Sequence, residues 1–193
     1  HAQTAADLYV RAAVMWGRAQ YSIFDAADPR KHAFREHANH AVARIGALRQ
    51  GRVRRVEIPF EGKTLYALLH LPVGPVQGAS AVILGPGMDM IKEDYIYAAD
   101  RYYTSRGVVA LSIEGPGQGE TRANGLVVTL DNYERAISAY IDYLASLPEV
   151  DADRIAMFGI SMSGYWGHRA ATCEPRLKAL ASFEGVTGDF ATI

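Results

Sequence analysis

The chain has 193 residues, a formal net charge of −1 at pH 7 and a hydrophobic content of 49%, an ordinary composition for one globular core. The balanced charge predicts no partnership with nucleic acid or an anionic membrane, and no apolar run approaches the roughly 20 residues that a bilayer span needs. The single cysteine, Cys173, excludes an internal disulfide framework and fits a reducing compartment, so we expect a cytoplasmic protein.

The first fifty residues carry two helical patterns. In residues 4–20 an apolar stripe recurs at helical spacing and predicts a buried face, made of Leu8, Ala12, Met15 and Ala19. Asp28 followed by Pro29 is typical of a helix start, and the second helix is predicted to run to about Leu48. We therefore predict a helical layer over residues 1–50, as part of a cap, and the main fold over residues 51–193.

After Gly51 the pattern changes to strands and then to alternating strands and helices. Two strands at 53–59 and 64–71 are predicted to form a hairpin with a tight turn at Gly62. Further strands are predicted at 81–84, 108–113, 154–158 and 177–183, with helices at 93–106, 131–147 and 162–173. Gly107 and Pro148 are expected to end the first two of these helices, and Asp131 with Glu134 has the spacing of a capping box. The alternation predicts an α/β fold with a mostly parallel sheet, helices on both faces and antiparallel strands at one edge.

One strand–turn–helix carries a candidate nucleophile. Residues 154–164 read Arg-Ile-Ala-Met-Phe-Gly-Ile-Ser-Met-Ser-Gly, and a strand that turns into a helix through Gly-x-Ser is the nucleophile elbow of serine hydrolases. Such a turn strains the backbone at Ser161 and requires small neighbours. Ser163 stands where the commonest form of the motif has glycine. The alternative interpretation is an ordinary turn that bears a surface serine.

Two glycine-rich stretches follow other strands of the same predicted sheet, at 85–89 and 114–120. Because ligands bind beyond the carboxyl ends of parallel strands, both stretches are expected beside Ser161. We predict that the backbone N–H groups of Met162 and of Met88, or of Gly87, hold a developing oxyanion. The predicted substrate-pocket residues are Gly87, Asp89, Glu114 and Glu184. Glu114 is expected to face the pocket from its strand end, and Glu120 is expected to be solvated.

The sequence of the elbow, together with the Gly-Pro-Gly-Gln-Gly-Glu loop, resembles the α/β-hydrolase superfamily. Four stretches, at 57–62, 87–93, 115–120 and 173–177, are similar to the branch that contains FrsA-like esterases and 2,6-dihydroxypseudooxynicotine hydrolase. The resemblance implies an α/β-hydrolase fold under an N-terminal helical layer and a triad of Ser, Asp and His in that chain order. It also implies that Asp and His lie beyond Ile193, so that the C-terminal part of the fold is missing from this chain.

Other candidates for the acid and the base are weak. His168 lies two helical turns beyond Ser161, His70 lies on an edge strand, and Asp189 would serve as the acid only in a variant arrangement. We expect a serine hydrolase that acts on a small-molecule carbonyl substrate through an acyl-enzyme, by cleaving either an ester or the C–C bond of a ketone or 1,3-dicarbonyl. The alternative is a non-catalytic protein of the same fold that binds a ligand or partner. No cofactor or metal is expected, and a homodimer is one assembly that the sequence leaves open.

Overall fold

A computed structural model describes residues 1–25 and 28–185, in which six strands form one mixed sheet. The order across the sheet is β1-β2-β4-β3-β5-β6. β1 and β2 pair antiparallel, as do β2 and β4, whereas the other neighbours are parallel. The strands are β1 (Val53–Phe60), β2 (Lys63–His70), β3 (Ala79–Gly85), β4 (Val109–Glu114), β5 (Val150–Ile160) and β6 (Leu177–Phe183). The predicted strands and the antiparallel hairpin at one edge are therefore confirmed.

The turn between β1 and β2 has the backbone that the sequence predicts. Glu61 and Gly62 have φ values of 49° and 75°, so both residues occupy the left-handed region. Two such residues form the type I′ turn, whose twist matches that of the strands it joins. The turn fixes a register in which Phe60 pairs with Lys63 and Val53 with His70.

The helices flank the sheet on both faces. Their bounds are α1 (Ala2–Ala19), α2 (Pro29–Leu48), α3 (Ile96–Ala98), α4 (Gly119–Ala123), α5 (Asn132–Ala145) and α6 (Met162–Cys173). α3 is one part of an irregular helical segment, because a 3₁₀ turn precedes it at Lys92–Tyr95 and a π turn and another 3₁₀ turn follow it at Ala99–Tyr103 and Thr104–Arg106. As predicted, Gly107 ends that segment with a φ of 75°. No helix in the described ranges combines the length and apolar character needed to cross a bilayer.

The starts of two helices differ in how well they were predicted. At α2 the Asp28 side chain accepts a hydrogen bond from the N–H of Arg30, and Pro29 occupies the first turn, as expected. At α5 the predicted capping box is wrong, because the Asp131 side chain makes no capping hydrogen bond. Instead, the Asn132 side chain accepts from the N–H of Thr129 at 2.8 Å and closes the turn before the helix.

The predicted buried face of α1 is also wrong. Leu8 and Met15 are 60% and 70% exposed, whereas the buried stripe is one of smaller residues, made of Ala6, Val10, Ala13 and Gly17. The reason is the closeness of the packing: a Cβ added to Gly17 would lie 2.0 Å from Cδ1 of Ile91. The helical period was therefore predicted correctly, but the face that packs is the one without bulky side chains.

Apolar side chains fill both sides of the sheet. On one side α5 and α6 pack over the central strands, with Leu111, Ile137 and Tyr140 fully buried. On the other side α1 and α2 pack through Val10 and Ile45 onto Leu68 of β2. Burying a large apolar side chain contributes roughly 1.5–3 kcal/mol, so this second cluster attaches the helical layer to the sheet. The division at residue 50 into two domains stays a prediction.

Candidate active site

Ser161 lies at the turn between β5 and α6 in a backbone conformation that few residues adopt. Its φ and ψ are 52° and −120°, and its side chain is exposed at the carboxyl end of the sheet. A non-glycine residue in such a region costs on the order of 1–3 kcal/mol and persists only where the surroundings impose it. The surroundings do so here, because a Cβ added to Gly159 would lie 2.4 Å from the carbonyl oxygen of Ser163. Only glycine at 159 lets the strand approach the helix closely enough to form this elbow.

The loop after β3 lies against this serine. A Cβ added to Gly87 would be 3.4 Å from Cβ of Ser161, so no other residue separates the two. The N–H groups of Gly87, Met88 and Met162 make no hydrogen bond within the described residues. Gly87 is buried, while the Met88 side chain is 62% exposed. The structure thus brings together the predicted nucleophile and the residues predicted to hold the oxyanion, whereas the roles themselves stay predictions.

Hydrogen bonds hold the carbonyl groups of this loop. The oxygen of Gly85 accepts from Tyr95 Oη at 2.8 Å, and that of Gly87 accepts from Gln118 Nε2 at 2.9 Å. Between them, the oxygen of Pro86 accepts from the same Nε2 at 3.0 Å and also from Ser163 Oγ. Three consecutive carbonyls are therefore fixed by side chains, which leaves the loop little freedom to rotate its peptide planes.

Ser163 has a defined part in this arrangement. Its side chain is fully buried, and its Oγ lies 2.9 Å from Tyr133 Oη in addition to its bond to Pro86. Tyr133 is fully buried as well, and burial raises its pKa above the ordinary value. A serine at the fifth motif position is thus a hydrogen-bonded link between the elbow and the loop after β3.

The four predicted pocket residues fall into two groups. Asp89 and Glu184 are exposed and follow β3 and β6, and Gly87 lies beside Ser161. Glu114 differs from the prediction, because its side chain is fully buried and its oxygens already have partners. They accept from the N–H of Glu120 at 2.7 Å and lie 3.2 Å from Lys92 Nζ. Glu114 therefore organises the loop that follows β4 and does not face the predicted pocket.

The expectation that Glu120 is solvated is wrong. Its side chain is buried, and its carboxylate lies 2.8 Å from Arg55 and 3.0 Å from Lys92. Burial alone would raise the pKa of Glu120, but Lys92 and Arg55 outweigh burial and lower it to about 2. Asn39 of α2 donates to the same carboxylate at 2.9 Å. The residue after the glycine-rich loop thus attaches the helical layer to the sheet.

Ser161 Oγ makes no hydrogen bond within ranges 1–25 and 28–185, so no histidine of these ranges is held against it as a base. His168 is exposed on α6, as the sequence suggested. The expectation that His70 lies on an edge strand is wrong, because β2 lies between β1 and β4. His70 is fully buried, its Nε2 lies 2.9 Å from Ser112 Oγ, and burial together with Arg49 lowers its pKa to about 3. Asp189 lies outside the described residues.

Two further features of the described ranges do not coincide with this site. No group of three or more His, Cys, Asp or Glu side chains is arranged there to hold a metal ion. A groove of about 540 Å³ runs between α2 and β1, past Asn39 and Arg55, and its lining includes none of the predicted site residues.

Sequence reasoning missed the contacts of Gln118, Tyr133 and Ser163. Tyr133 contacts the other two, and Gln118 and Ser163 both bond to the carbonyl of Pro86 in the loop after β3. Gln118 was visible as the one amide within a run of glycines. Its partners come from two loops and a helix, so no pattern in the sequence indicates what it contacts.

The mixed sheet, the strained serine between a parallel strand and a helix, and the flanking helices define an α/β hydrolase fold. The comparisons agree with this class. The chain matches the FrsA-like esterase family over residues 1–192, and it belongs to that family. The fold and the family that the sequence predicted are both confirmed.

Individual relatives have hydrolase names. The chain is 33% identical over 190 residues to the alpha/beta hydrolase gkaG of Penicillium citrinum, covering 93% of this chain and 44% of that protein. It is 28% identical over 185 residues to the 2,6-dihydropseudooxynicotine hydrolase of Paenarthrobacter nicotinovorans, covering 96% and 48%. A crystal structure of the 2,6-dihydroxy-pseudo-oxynicotine hydrolase superimposes with a TM-score of 0.78 at 28% identity, covering 92% of this chain and 48% of that one. The chain thus spans less than half the length of these relatives.

Proposed function

We propose that the protein is a serine hydrolase in which Ser161 attacks the carbonyl group of a small molecule. The observation that carries this proposal is the strained, exposed position of Ser161 beside N–H groups that have no hydrogen-bond partner among the described residues. Strain at a polar residue is retained where function requires it. Membership in a family of hydrolases supports the same conclusion.

The proposed reaction has two halves. Oγ of Ser161 bonds to the carbonyl carbon and loses its proton to a base, while the N–H groups of Met162 and Met88, or Gly87, stabilise the oxyanion. The leaving group departs with that proton, and water then releases the acyl group and restores the serine. Each oxyanion donor contributes roughly 3–4 kcal/mol to stabilising the transition state. We expect the base to be a histidine paired with an acid, both from outside the described residues.

Two leaving groups fit this scheme, an alcohol from an ester and a stabilised carbanion from a ketone or 1,3-dicarbonyl. The family description supports ester cleavage, whereas C–C cleavage is motivated only by the resemblance to the branch that contains the pseudooxynicotine hydrolase. A panel of aryl esters and aryl 1,3-diketones, assayed with the same preparation, distinguishes them. The substrate class with the higher kcat/KM is assigned as the one the protein acts on.

The test of the nucleophile is Ser161→Ala in the intact protein. We expect loss of turnover and of covalent labelling by a fluorophosphonate probe, because the probe needs an activated serine. The matched control is Ser105→Ala, which makes the same chemical change at an exposed position whose hydroxyl, among the described residues, bonds to the carbonyl of Arg101 alone. Ser105→Ala should keep both turnover and covalent labelling.

Other outcomes are decisive as well. Turnover that survives in Ser161→Ala contradicts the proposal. A wild-type protein that neither turns over nor labels, yet binds a ligand, favours the alternative of a non-catalytic binding protein. We also propose a cytoplasmic location and a small-molecule partner, for which cell fractionation with activity measurements is the check.

A further inference from the structure

We propose that Gln118 is a positioning residue that sets the direction of the oxyanion-hole N–H groups after β3. The inference rests on the proposed function of Ser161 and goes beyond it to a residue that does not touch the substrate. Gln118 is 2% exposed, and its amide contacts four groups from two loops and a helix. The NH₂ group of the amide and its oxygen bind different parts of the molecule.

The orientation of the Gln118 amide is fixed by its partners. Nε2 lies 3.0 Å and 2.9 Å from the carbonyl oxygens of Pro86 and Gly87, which can only accept. Oε1 lies 2.9 Å from the N–H of Gly115, which can only donate. A flipped amide would place oxygen against two oxygens and nitrogen against an N–H. The NH₂ group therefore serves the loop after β3, and the oxygen serves the glycine-rich loop after β4.

Holding these two carbonyls determines where the N–H groups point. The carbonyl of Pro86 shares a peptide plane with the N–H of Gly87, and the carbonyl of Gly87 shares one with the N–H of Met88. The described residues contain no cis peptide bond, so the N–H in each plane points opposite to its carbonyl, away from Gln118. Both N–H groups lack a partner among the described residues. Ser163 Oγ also donates to the carbonyl of Pro86, and the N–H of Met90 donates to that of Gly87, but Gln118 Nε2 is the one group among the described residues that holds both planes.

Neighbouring residues hold Gln118 in turn. Tyr133 Oη donates to Oε1 at 2.8 Å, and the Tyr133 ring stacks on Trp166 with 3.9 Å between the ring centres. Gly115 makes room for this ring, since a Cβ there would lie 2.4 Å from it. The amide is thus held by a rigid aromatic pair from α5 and α6. Preorganised donors of this kind do not have to reorient as charge develops in the transition state.

The test is Gln118→Glu in the intact protein. This change keeps an oxygen for Gly115 and Tyr133 but replaces the NH₂ with an oxygen, which repels both carbonyls when the carboxylate is ionised and can donate to only one of them when it is protonated. We expect kcat to fall by about 10- to 100-fold, less than the roughly 100- to 1,000-fold cost of removing a donor outright, with KM changed less than about threefold. Affinity for an aryl trifluoromethyl ketone, which forms a tetrahedral oxyanion with the serine, should fall by the same factor as kcat/KM. Affinity for a non-reacting product acid should not change.

Controls separate this role from a structural one. Gln77→Glu makes the same change at an exposed position in the loop before β3 and should match the wild type. Gln118→Met is a neutral second variant in case the buried carboxylate prevents folding. It should likewise lose affinity for the trifluoromethyl ketone and keep its affinity for the product acid. If folded Gln118 variants keep wild-type kcat and trifluoromethyl ketone affinity, the inference is overturned. If wild type and Ser161→Ala show the same turnover and the same probe labelling, the proposed function itself has failed.

Discussion

Ser163 shows how one side chain can serve both the geometry and the stability of the turn that bears the candidate nucleophile. It is small enough for the close approach of Gly85, whose added Cβ would lie 2.8 Å from that of Ser163. Its hydroxyl also bonds to the carbonyl of Pro86 and contacts Tyr133. A glycine at this position would satisfy the first requirement and lose the second. The departure from the commonest form of the motif is therefore a gain of contacts.

The strain at Ser161 leads to a prediction in which stability and activity change in opposite directions. Ser161→Gly removes the side chain that makes φ of 52° costly, so the free energy of unfolding should rise by about 1 kcal/mol while probe labelling disappears. Ser161→Ala is the matched comparison, because alanine loses the hydroxyl but keeps a Cβ and the strain. Urea unfolding measures both. Equal stability of the two variants would show that the elbow is not strained.

At this scale the sequence predicted residues whose role follows from local backbone geometry. Ser161 and Gly87 lie side by side at the sheet edge, as predicted, because each follows a strand in a turn that glycine permits, whereas their catalytic roles stay predictions. Glu114 and Glu120 were misplaced because their surroundings depend on Lys92 and Arg55, and Arg55 is 65 positions from Glu120 in the chain. A carboxylate can be predicted to be buried only when its cationic partner is known, and here the partner belongs to an element distant in the sequence.

Among the elements, the glycine-rich loop after β4 joins two parts of the molecule that the sequence treats separately. Gln118 contacts the loop beside the candidate nucleophile, and two residues later Glu120 contacts α2 and β1. The sequence placed this loop correctly at the sheet edge. It did not predict α4, because a five-residue helix has no periodic pattern, and its glycines suggested only turns.

The attachment of the helical layer can be measured at Glu120. Glu120→Gln leaves Lys92 and Arg55 with one fewer carboxylate, and breaking such a buried pair should lower the free energy of unfolding by roughly 3 kcal/mol at pH 7. Glu57→Gln is the matched control, since Glu57 pairs with the same Arg55 from an exposed position and should cost less than about 1 kcal/mol. Urea unfolding gives both values. Similar losses in both variants would contradict a special role for burial.

The stabilisation that the Glu120 carboxylate provides depends on pH. The folded-state pKa of Glu120 is lowered from 4.5 to about 2, so its stabilisation is complete above about pH 4.5 and is lost as the pH falls through about 2. The difference in stability between wild type and Glu120→Gln should therefore shrink over this acidic range. A difference that stays constant down to pH 2 would mean that the carboxylate is not held by these cations.

On the scale of the whole molecule, the alternation of strands and helices was enough to predict the class of fold and the edge at which the site lies. What it did not determine was how the helical layer packs. Both faces of α1 carry apolar side chains, and the buried face is chosen by how closely Ile91 and Glu93 approach Gly17. The hydrophobic pattern of the sequence predicts that the face of α1 with the larger residues is buried, whereas close packing in the structure buries the face with the smaller ones.

His70 links global stability to pH. It is buried and neutral, with a pKa lowered from 6.5 to about 3, so the unfolded chain takes up a proton below pH 6.5 that the folded chain refuses until about pH 3. Stability should fall through this window by about 1.4 kcal/mol for each pH unit. Between pH 7 and pH 5 the wild type should therefore lose roughly 2 kcal/mol more than His70→Gln, which retains a bond to Ser112 without titrating.

The control for this prediction is His168→Gln, which makes the same chemical change at an exposed position on α6. Urea unfolding at pH 7 and pH 5 measures all three proteins. The carboxylates near Glu120 affect each protein equally and cancel in the comparison. If His70→Gln and wild type lose the same stability on acidification, His70 is not the group responsible.

The bond between Ser163 and Pro86 spans 77 positions of the chain, and the bond between Gln118 and Pro86 spans 32. These contacts connect the ends of β3, β4 and β5, so no single strand–helix unit can form the arrangement alone. Long-range contacts of this kind form late, after the chain has closed the intervening loops. A refolding chain would regain most of its helix and sheet before it regained a serine able to react. Probe labelling therefore reports complete assembly of the sheet, which circular dichroism does not.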